Sequence, residues 1–240
     1  MTLLTEPTRI VLAKGQPVPN DPNFAFNSLL LHGNGTNGST VITDSSGSPK
    51  TVTAVGNAQI STAQSKFGGS SIAFDGNGDR LDCSTNLGLA NFPASGQLGT
   101  IEGWFYFINV PSSRSAIAGV WGGPSNTIGW FFDINSAGNV VMENGGNITT
   151  ITLSSPISFN VWTFLALVNT GSQLRVYKDG VQVGTGSNYS PALSPDVFRI
   201  GTRNIGDLPV NGYIDEFRVT TGVARYTANF TPPTAPFPDF

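Results

Sequence analysis

In residues 161–168, VWTFLALV, only Thr163 interrupts the apolar side chains, and no polar face remains. A strand covered on both faces reads this way, and the run is short for a buried helix. Residues 169–173 supply a turn containing Gly171. The chain then returns as LRVYK, reverses at Asp179-Gly180 and leaves as VQV. Asp-Gly between alternating residues is a strong hairpin signal, because both central turn positions need φ > 0. A two-residue turn pairs Lys178 with Val181, Tyr177 with Gln182, and Val176 with Val183. That register puts Leu174, Val176, Val181 and Val183 on one face. The pattern predicts a three-stranded antiparallel core around which the rest of the chain is built. Trp162, opening a strand apolar on both faces, is expected to lie buried against a second sheet.

Elsewhere the period is two. Residues 100–109 alternate Ile101, Gly103, Phe105 and Phe107 with Glu102, Trp104, Tyr106 and Ile108. Glycine-rich turns separate short predicted strands at 24–32, 41–42, 51–55, 59–61, 70–75 and 80–83, and residues 86–92 hold an irregular helical turn. Strands at 116–121, 129–134, 139–143 and 148–153 follow, and 197–201 and 212–220 close the chain. No stretch sustains a helical period, and no long internal repeat occurs. The expectation is an all-β domain over residues 24–240. Residues 1–23 differ: Pro17, Pro19 and Pro22 cannot continue a ladder, so an extended N-terminal arm is expected. It is either a frayed terminus or an attachment arm, since the apolar Ile10, Val11 and Leu12 call for a partner.

These motifs carry a resemblance. A Trp opening a strand, an aliphatic run and then LRVYKDGVQVG resemble the laminin-G-like jelly rolls of the concanavalin A-like lectin superfamily. SIAFDGNGDRLD at 71–82 resembles that family's early strand pair, and TIEGWFYF at 100–107 its long central strand. FRIGT at 198–202 and NGYIDEFRVTTGVARYTANFTPP at 211–233 resemble its closing strand and tail. The resemblance implies a two-sheet antiparallel jelly-roll sandwich. LLLHGNGTNGSTVITDSSGSPKTV at 29–52 and the YTANFTPP ending look most like modules of bacteriophage virion proteins.

Composition narrows the classes. Charged residues make up 11% of the chain, against a usual share of about 25%. Solubility then rests on Ser, Thr, Asn and Gly, as suits a protein outside the cell or on a particle. A net charge of −3 with no Lys/Arg cluster argues against nucleic acid as a partner. Cys83 is alone, so no disulfide framework is expected. The N-terminus has neither a cationic start nor a long apolar core, so neither a signal peptide nor membrane insertion is expected.

Catalytic residues are not expected. Asp215-Glu216 is the tempting pair, because glucanases of the resembled superfamily carry paired carboxylates on one strand, two residues apart. Adjacent residues on a regular strand point to opposite faces, so these two are not expected to line one cleft. His32 is the only histidine and reads as a hydrogen-bonded structural residue. No cofactor is expected, although a structural Ca²⁺ is possible from the resemblance, with Asp44, Asp75, Asp79 and Asp215 as candidates. Turn capping explains the same four residues, and no metal site is assigned. Sugar binding needs an aromatic platform with amides or hydroxyls on loops. Trp121 beside Gly122-Gly123-Pro124, with Asn126, Tyr189 and Asn204, is the candidate set, while Trp104 and Trp130 read as core. The resulting expectation is a non-enzymatic virion protein, made in the host cytoplasm and displayed on the particle surface. As a tail fibre or spike it would adhere to host cell-surface glycan, with other virion proteins and sister subunits, as a homotrimer, for partners. The alternatives are a head decoration protein and a secreted glycan-binding or glycan-cleaving module.

Overall fold

The computed structural model describes residues 20–110, 112–122, 128–144, 147–191, 196–203 and 206–240. A 3-10 turn at Phe24–Phe26 leads into β1 (Asn27–Leu31), followed by β2 (Val52–Val55), β3 (Gln59–Ser61), β4 (Ser71–Asp75) and β5 (Arg80–Cys83). Then come β6 (Leu98–Asn109), β7 (Arg114–Gly122), β8 (Ile128–Asn135), β9 (Val140–Asn144) and β10 (Asn147–Ile151). The chain finishes with β11 (Thr163–Thr170), β12 (Leu174–Lys178), β13 (Val181–Gly186), β14 (Phe198–Ile200) and β15 (Asn211–Thr221). All described pairings are antiparallel. One sheet runs β13-β12-β11-β6-β15-β4-β3, with β1 also on β15, and the other runs β10-β9-β8-β7-β14-β5-β2. This is the expected two-sheet sandwich.

The core lies between the sheets, where Phe105, Phe107, Phe217, Trp130, Phe198 and Ile214 pack together. Their partners in the period of two point outward. On the first sheet that outer face is apolar as well, with Leu30, Trp104, Phe164, Ala166, Val168 and Tyr177 in a second cluster. The C-terminal tail covers it. Tyr226 stacks on Phe230 at 3.6 Å, and Phe230 and Phe237 both meet Phe164 edge-on. The two-faced apolar run of 161–168 is thus explained by the opposite sheet on one side and the chain's own tail on the other.

Five expectations are corrected. The 161–183 unit does lie in one sheet, but at its edge; the centre is β6 and β15, the two longest strands. Its hairpin turn is as predicted, with Asp179 at φ 49° and Gly180 at φ 79°. Lys178–Val181 and Tyr177–Gln182 pair as expected, after which a bulge sets Val176 opposite Gly184 and leaves Val181 exposed. Trp162 precedes β11 and is half-buried on the outer face beside the tail-covered cluster, because it shares the phase of Phe164 and not of Leu165. Residues 41–42 form only an isolated bridge, Val41 to Thr53. Residues 86–92 form turns and no helix.

Candidate functional site

The tail leaves one end of the first sheet's outer face open. There the register sets Gln59 opposite Ala73, Ala73 opposite Tyr213, and Tyr213 opposite Tyr106. Phe105 pairs with Thr163, so Tyr106 lies beside Trp162. One row of side chains therefore crosses four strands, β3, β4, β15 and β6, and ends at Trp162, just before β11. Tyr106 is 5.9 Å from Tyr213 and 5.7 Å from Trp162, centroid to centroid, with interplanar angles of 72° and 60°. All three rings are half-buried. Ile108 and Val161 beside them are 37% and 47% exposed.

Small Ala73 between Gln59 and Tyr213 leaves a depression. A cavity of about 390 Å³ opens there, lined by Asn57, Gln59, Asp75, Ile108, Asn211 and Tyr213 among others. The next row along the strands is polar. Asn57 donates from Nδ2 to Asp75 at 2.9 Å, and Asn211 donates to Asn109 Oδ1 at 3.2 Å. The hydrogen bond from Asn57 holds the Asp75 carboxyl below its ordinary range, against the opposing effect of burial. Aromatic rings beside amides and one carboxylate can stack on the apolar faces of a sugar and bind its hydroxyls.

Further along β15 the strand bulges. β4 pairs with Asn211 to Ile214 and β1 with residues 217–220, and the register shift falls between Asp215 and Arg218, where the partner changes. Glu216 sits at φ 52°. Ile214 and Phe217 both face the core, so Asp215 and Glu216 together occupy the outward phase. Simple alternation fails here because of the bulge. Both carboxylates are nonetheless closed off, at 0% and 1% exposure. Asp215 accepts the backbone N–H groups of Lys66 and Phe67 at 2.7 and 3.0 Å. Burial pushes its carboxyl up to about 6 in spite of those donors. Glu216 accepts the Phe237 N–H at 2.7 Å and faces His32 Nδ1 at 2.8 Å, while His32 Nε2 meets Asp239 at 2.7 Å. His32 is the hydrogen-bonded structural residue expected.

The other candidate calcium ligands are turn caps. Asp44 accepts the N–H groups of Leu30, Ser46 and Lys50. Asp79 accepts those of Asn57 and Asp75. Among the described residues no three His, Cys, Asp or Glu side chains gather into a metal site. The acids present do not fit a Ca²⁺ cage, which needs several converging oxygens.

Of the expected sugar-binding set, Asn126 and Asn204 lie outside the described residues. Trp121 does not offer the open face a platform needs: it is 2% exposed, because β7 runs on through Gly122 and packs the indole against Phe131 and Leu208. The Arg203 guanidinium lies 5.1 Å from its ring and binds Glu143 at 2.7 Å. Glu143 also takes Arg114, which reaches the buried Asp133. Burial pushes Asp133 up to about 8, against the pull of Arg114. Tyr189 donates its hydroxyl to the Glu143 carbonyl at 3.2 Å, so Arg203 and Glu143 link it to Trp121. It lines a separate cavity of about 260 Å³ with Asn188 and Thr149. Tyr106 and Tyr213 escaped notice in the sequence, although one signal was there. Both share the strand phase of charged residues, Glu102 and Asp215, so their face is not the core.

The Laminin_G_3 family model, described as the concanavalin A-like lectin/glucanases superfamily, matches residues 75–225. No curated protein matches the chain. Among solved structures, domain 4 of the extracellular GH43 arabinanase AbnA of Geobacillus stearothermophilus, in complex with arabinotriose, is similar at a TM-score of 0.61 and 18% identity. That match covers 82% of this chain and 93% of the other. The receptor-binding domain of botulinum neurotoxin mosaic serotype C/D matches at 0.59 and 16% identity, over 87% of this chain and 49% of that one. The sialidase of Trypanosoma rangeli matches at 0.57 and 15% identity, over 88% and 32%. The chain spans about half of that toxin domain and a third of the sialidase. At these identities the likeness is one of fold.

Proposed function

This chain belongs to the concanavalin A-like lectin/glucanases superfamily, and from that premise we propose that it is a non-catalytic carbohydrate-binding domain. The observation that carries this reading is the half-buried row of Tyr213, Tyr106 and Trp162 beside the amides of Asn57 and Asn211. The arabinotriose complex of the arabinanase domain supports a sugar ligand on this fold. A binding role is favoured over hydrolysis because Asp215 and Glu216 are sealed by backbone donors, His32 and the tail, where no glycosidic bond can reach them. The likeness of residues 29–52 and 226–233 to bacteriophage virion modules supports display on a phage particle. There a trimeric tail fibre or spike would use the row to adhere to host surface glycan. Exposed Ile108 and Val161 favour one second reading, a head decoration protein whose patch packs on a capsid partner.

A glycan array and a host-cell binding assay test the proposal. One shallow site of stacking plus hydrogen bonds should bind with a Kd between about 1 mM and 1 μM. Tyr213→Ala should lose about 2 kcal/mol of that affinity, as truncation of a central aromatic anchor does, with the melting temperature nearly unchanged. An array without signal would turn the reading toward decoration, and a Tyr213→Ala variant that binds as tightly as the parent would show that the sugar binds away from this row.

A further inference from the structure

We infer that the open edge of β10 takes residues 8–14 of a sister subunit, TRIVLAK, as an added strand, with Ile10 and Leu12 in the cavity beside Tyr189. This does not depend on the sugar-binding reading. The edges are the first argument. Four of the five described edge strands are closed by the chain itself. On β3, Gly38 N–H donates to the Ile60 carbonyl and Ile60 N–H to that of Ser39, and on β1 Asp44 and Ser45 take up both groups of Leu30. Asn229 and Ser154 bind Gln182 and Val183 of β13, and Val41 bridges Thr53 of β2. β10 is different. A two-residue connection makes Asn144 and Asn147 a hydrogen-bonded pair, so alternation turns the N–H and C=O groups of Ile148 and Thr150 outward. Among the described residues nothing binds them, and residues 147–150 are all exposed, Ile148 at 55%. The strand, NITTI, has no charge, proline or bulge, the features that otherwise keep an edge from pairing. An edge of this kind is a template for another strand.

The cavity is the second. Asn147, Thr149 and Ile151 turn inward, and with Met142, Leu174 and Tyr189 they line about 260 Å³ between β10 and residues 186–189. A strand laid beside β10 turns alternate side chains into that space. Residues 8–14, which lie outside the described residues, have the matching pattern: Ile10 and Leu12 share one phase, and Arg9, Val11 and Ala13 the other. A cavity of about 150 Å³ already holds benzene, so two branched aliphatic side chains find room here. β10 of a second copy would bring Asn147 and Thr149 instead, and these leave the apolar lining unfilled. Reach is the third. Leu12 is eight residues from Asn20, at most about 29 Å of chain. Asn20 adjoins Asp21, held on the first sheet's outer face by Arg218, itself bound to Glu102 of β6. β13 is three strands from β6, about 14 Å, and β10 lies about 10 Å further, across the sandwich, where Ile151 lies over Gly184 and Gly186. A route round that edge within one molecule takes nearly the whole link, with Pro17 and Pro19 in it. A neighbouring copy asks for no such turn. Each copy then gives one arm and receives one, as in cyclic oligomers.

Disulfide trapping in the full chain tests this, because Cys83 is buried and stays out of the reaction. With Ile10 and Leu12 inward, Val11 shares the outer side with Ile148 and Thr150. Val11→Cys chains mixed with Thr150→Cys or Ile148→Cys chains should cross-link as mixed pairs on mild oxidation. Ile10→Cys in place of Val11→Cys should yield far less, since that side chain faces the cavity. Ile148→Lys should weaken self-association at least about tenfold in sedimentation, with the melting temperature of the dissociated chain nearly unchanged. Thr150→Cys chains that cross-link among themselves would mean that β10 pairs with β10. In a chain carrying both Val11→Cys and Thr150→Cys, a bond within one molecule would mean that the arm closes on its own edge. Either result overturns the inference, as do absent mixed cross-links, a full chain that stays monomeric at every concentration, or Ile148→Lys chains that assemble like the parent. Glycan binding by the aromatic row stands or falls separately, on the array.

Discussion

His32 stands between two carboxylates, Glu216 at 2.8 Å and Asp239 at 2.7 Å. Burial alone would lower its pKa, but the hydrogen bonds and charges of Glu216 and Asp239 overcome that and raise it from 6.5 to about 9. A base whose folded-state pKa is raised stabilises the fold fully below its unfolded value and loses that contribution as pH climbs through the folded one. The window is therefore from about 6.5 to about 9. Asp239 is largely exposed, so solvent screens part of the effect, leaving about 2 kcal/mol. Asp133 overlaps this window. Its carboxyl, pushed up to about 8, costs stability as pH rises from the ordinary carboxylate range to that value. Comparing the parent with His32→Gln separates the two. The parent should lose stability in denaturant titrations between pH 6.5 and 9, and the variant should be nearly flat between about pH 8 and 9, before the buried Cys83 thiol, raised from 9 to about 12, begins to cost stability in both proteins. Equal slopes in both proteins above pH 8 would mean that His32 is not held as a cation.

At the scale of elements, the hairpin between β12 and β13 is joined to the tail as well as to its own sheet. Phe230 N–H donates to the Gly180 carbonyl at 2.8 Å, and a Cβ placed on Gly180 would run into the Phe230 carbonyl. Gly180 also sits at φ 79°, where only glycine is unstrained. Gly180→Ala should cost about 2 kcal/mol, strain and clash together, and should speed amide exchange in the tail around Phe230. Unchanged exchange there would show that the hairpin does not hold the tail. This contact explains what was legible in the chain. Apolar alternation and turn chemistry placed almost every strand, because both are local. The tail's role was hidden, since Tyr226, Phe230 and Phe237 lie in a Pro-rich stretch without a period. The site was hidden for a related reason. Tyr106, Trp162 and Tyr213 are each ordinary strand aromatics, and only the register of β15, β6 and β11 sets them in a row. Trp121 misled in the opposite direction. Its Gly-Gly-Pro neighbour looked like a loop tip, but the fold covers the indole with Arg203, a residue far along the chain.

For the whole molecule, the described ends of the chain meet at one place. Asp21 N–H donates to the Phe240 carbonyl at 3.0 Å, and the Asp21 carboxylate bridges Arg218 and Arg225 at 3.1 and 2.8 Å. Arg218 also binds Glu102, and Arg225 reaches Asn27. Tyr213 and Arg218 pair with Tyr106 and Glu102, four residues apart on β6, so the two lie about 13 Å apart. The aromatic row therefore lies toward the other end of the sheet from the place where the described ends meet. Two deletions test this arrangement. Removing residues 1–19 should leave a sandwich with nearly the parent melting temperature that no longer assembles with sister subunits, read by light scattering. Removing residues 1–23 takes Asp21 as well and leaves two buried guanidinium groups short of a carboxylate. Breaking a buried ion pair in this way costs about 3–5 kcal/mol, so the longer deletion should melt far lower. If the shorter deletion also unfolds the sandwich, residues 1–19 belong to the domain. If it still assembles, the contacts between subunits lie elsewhere, and the attachment role of the arm falls.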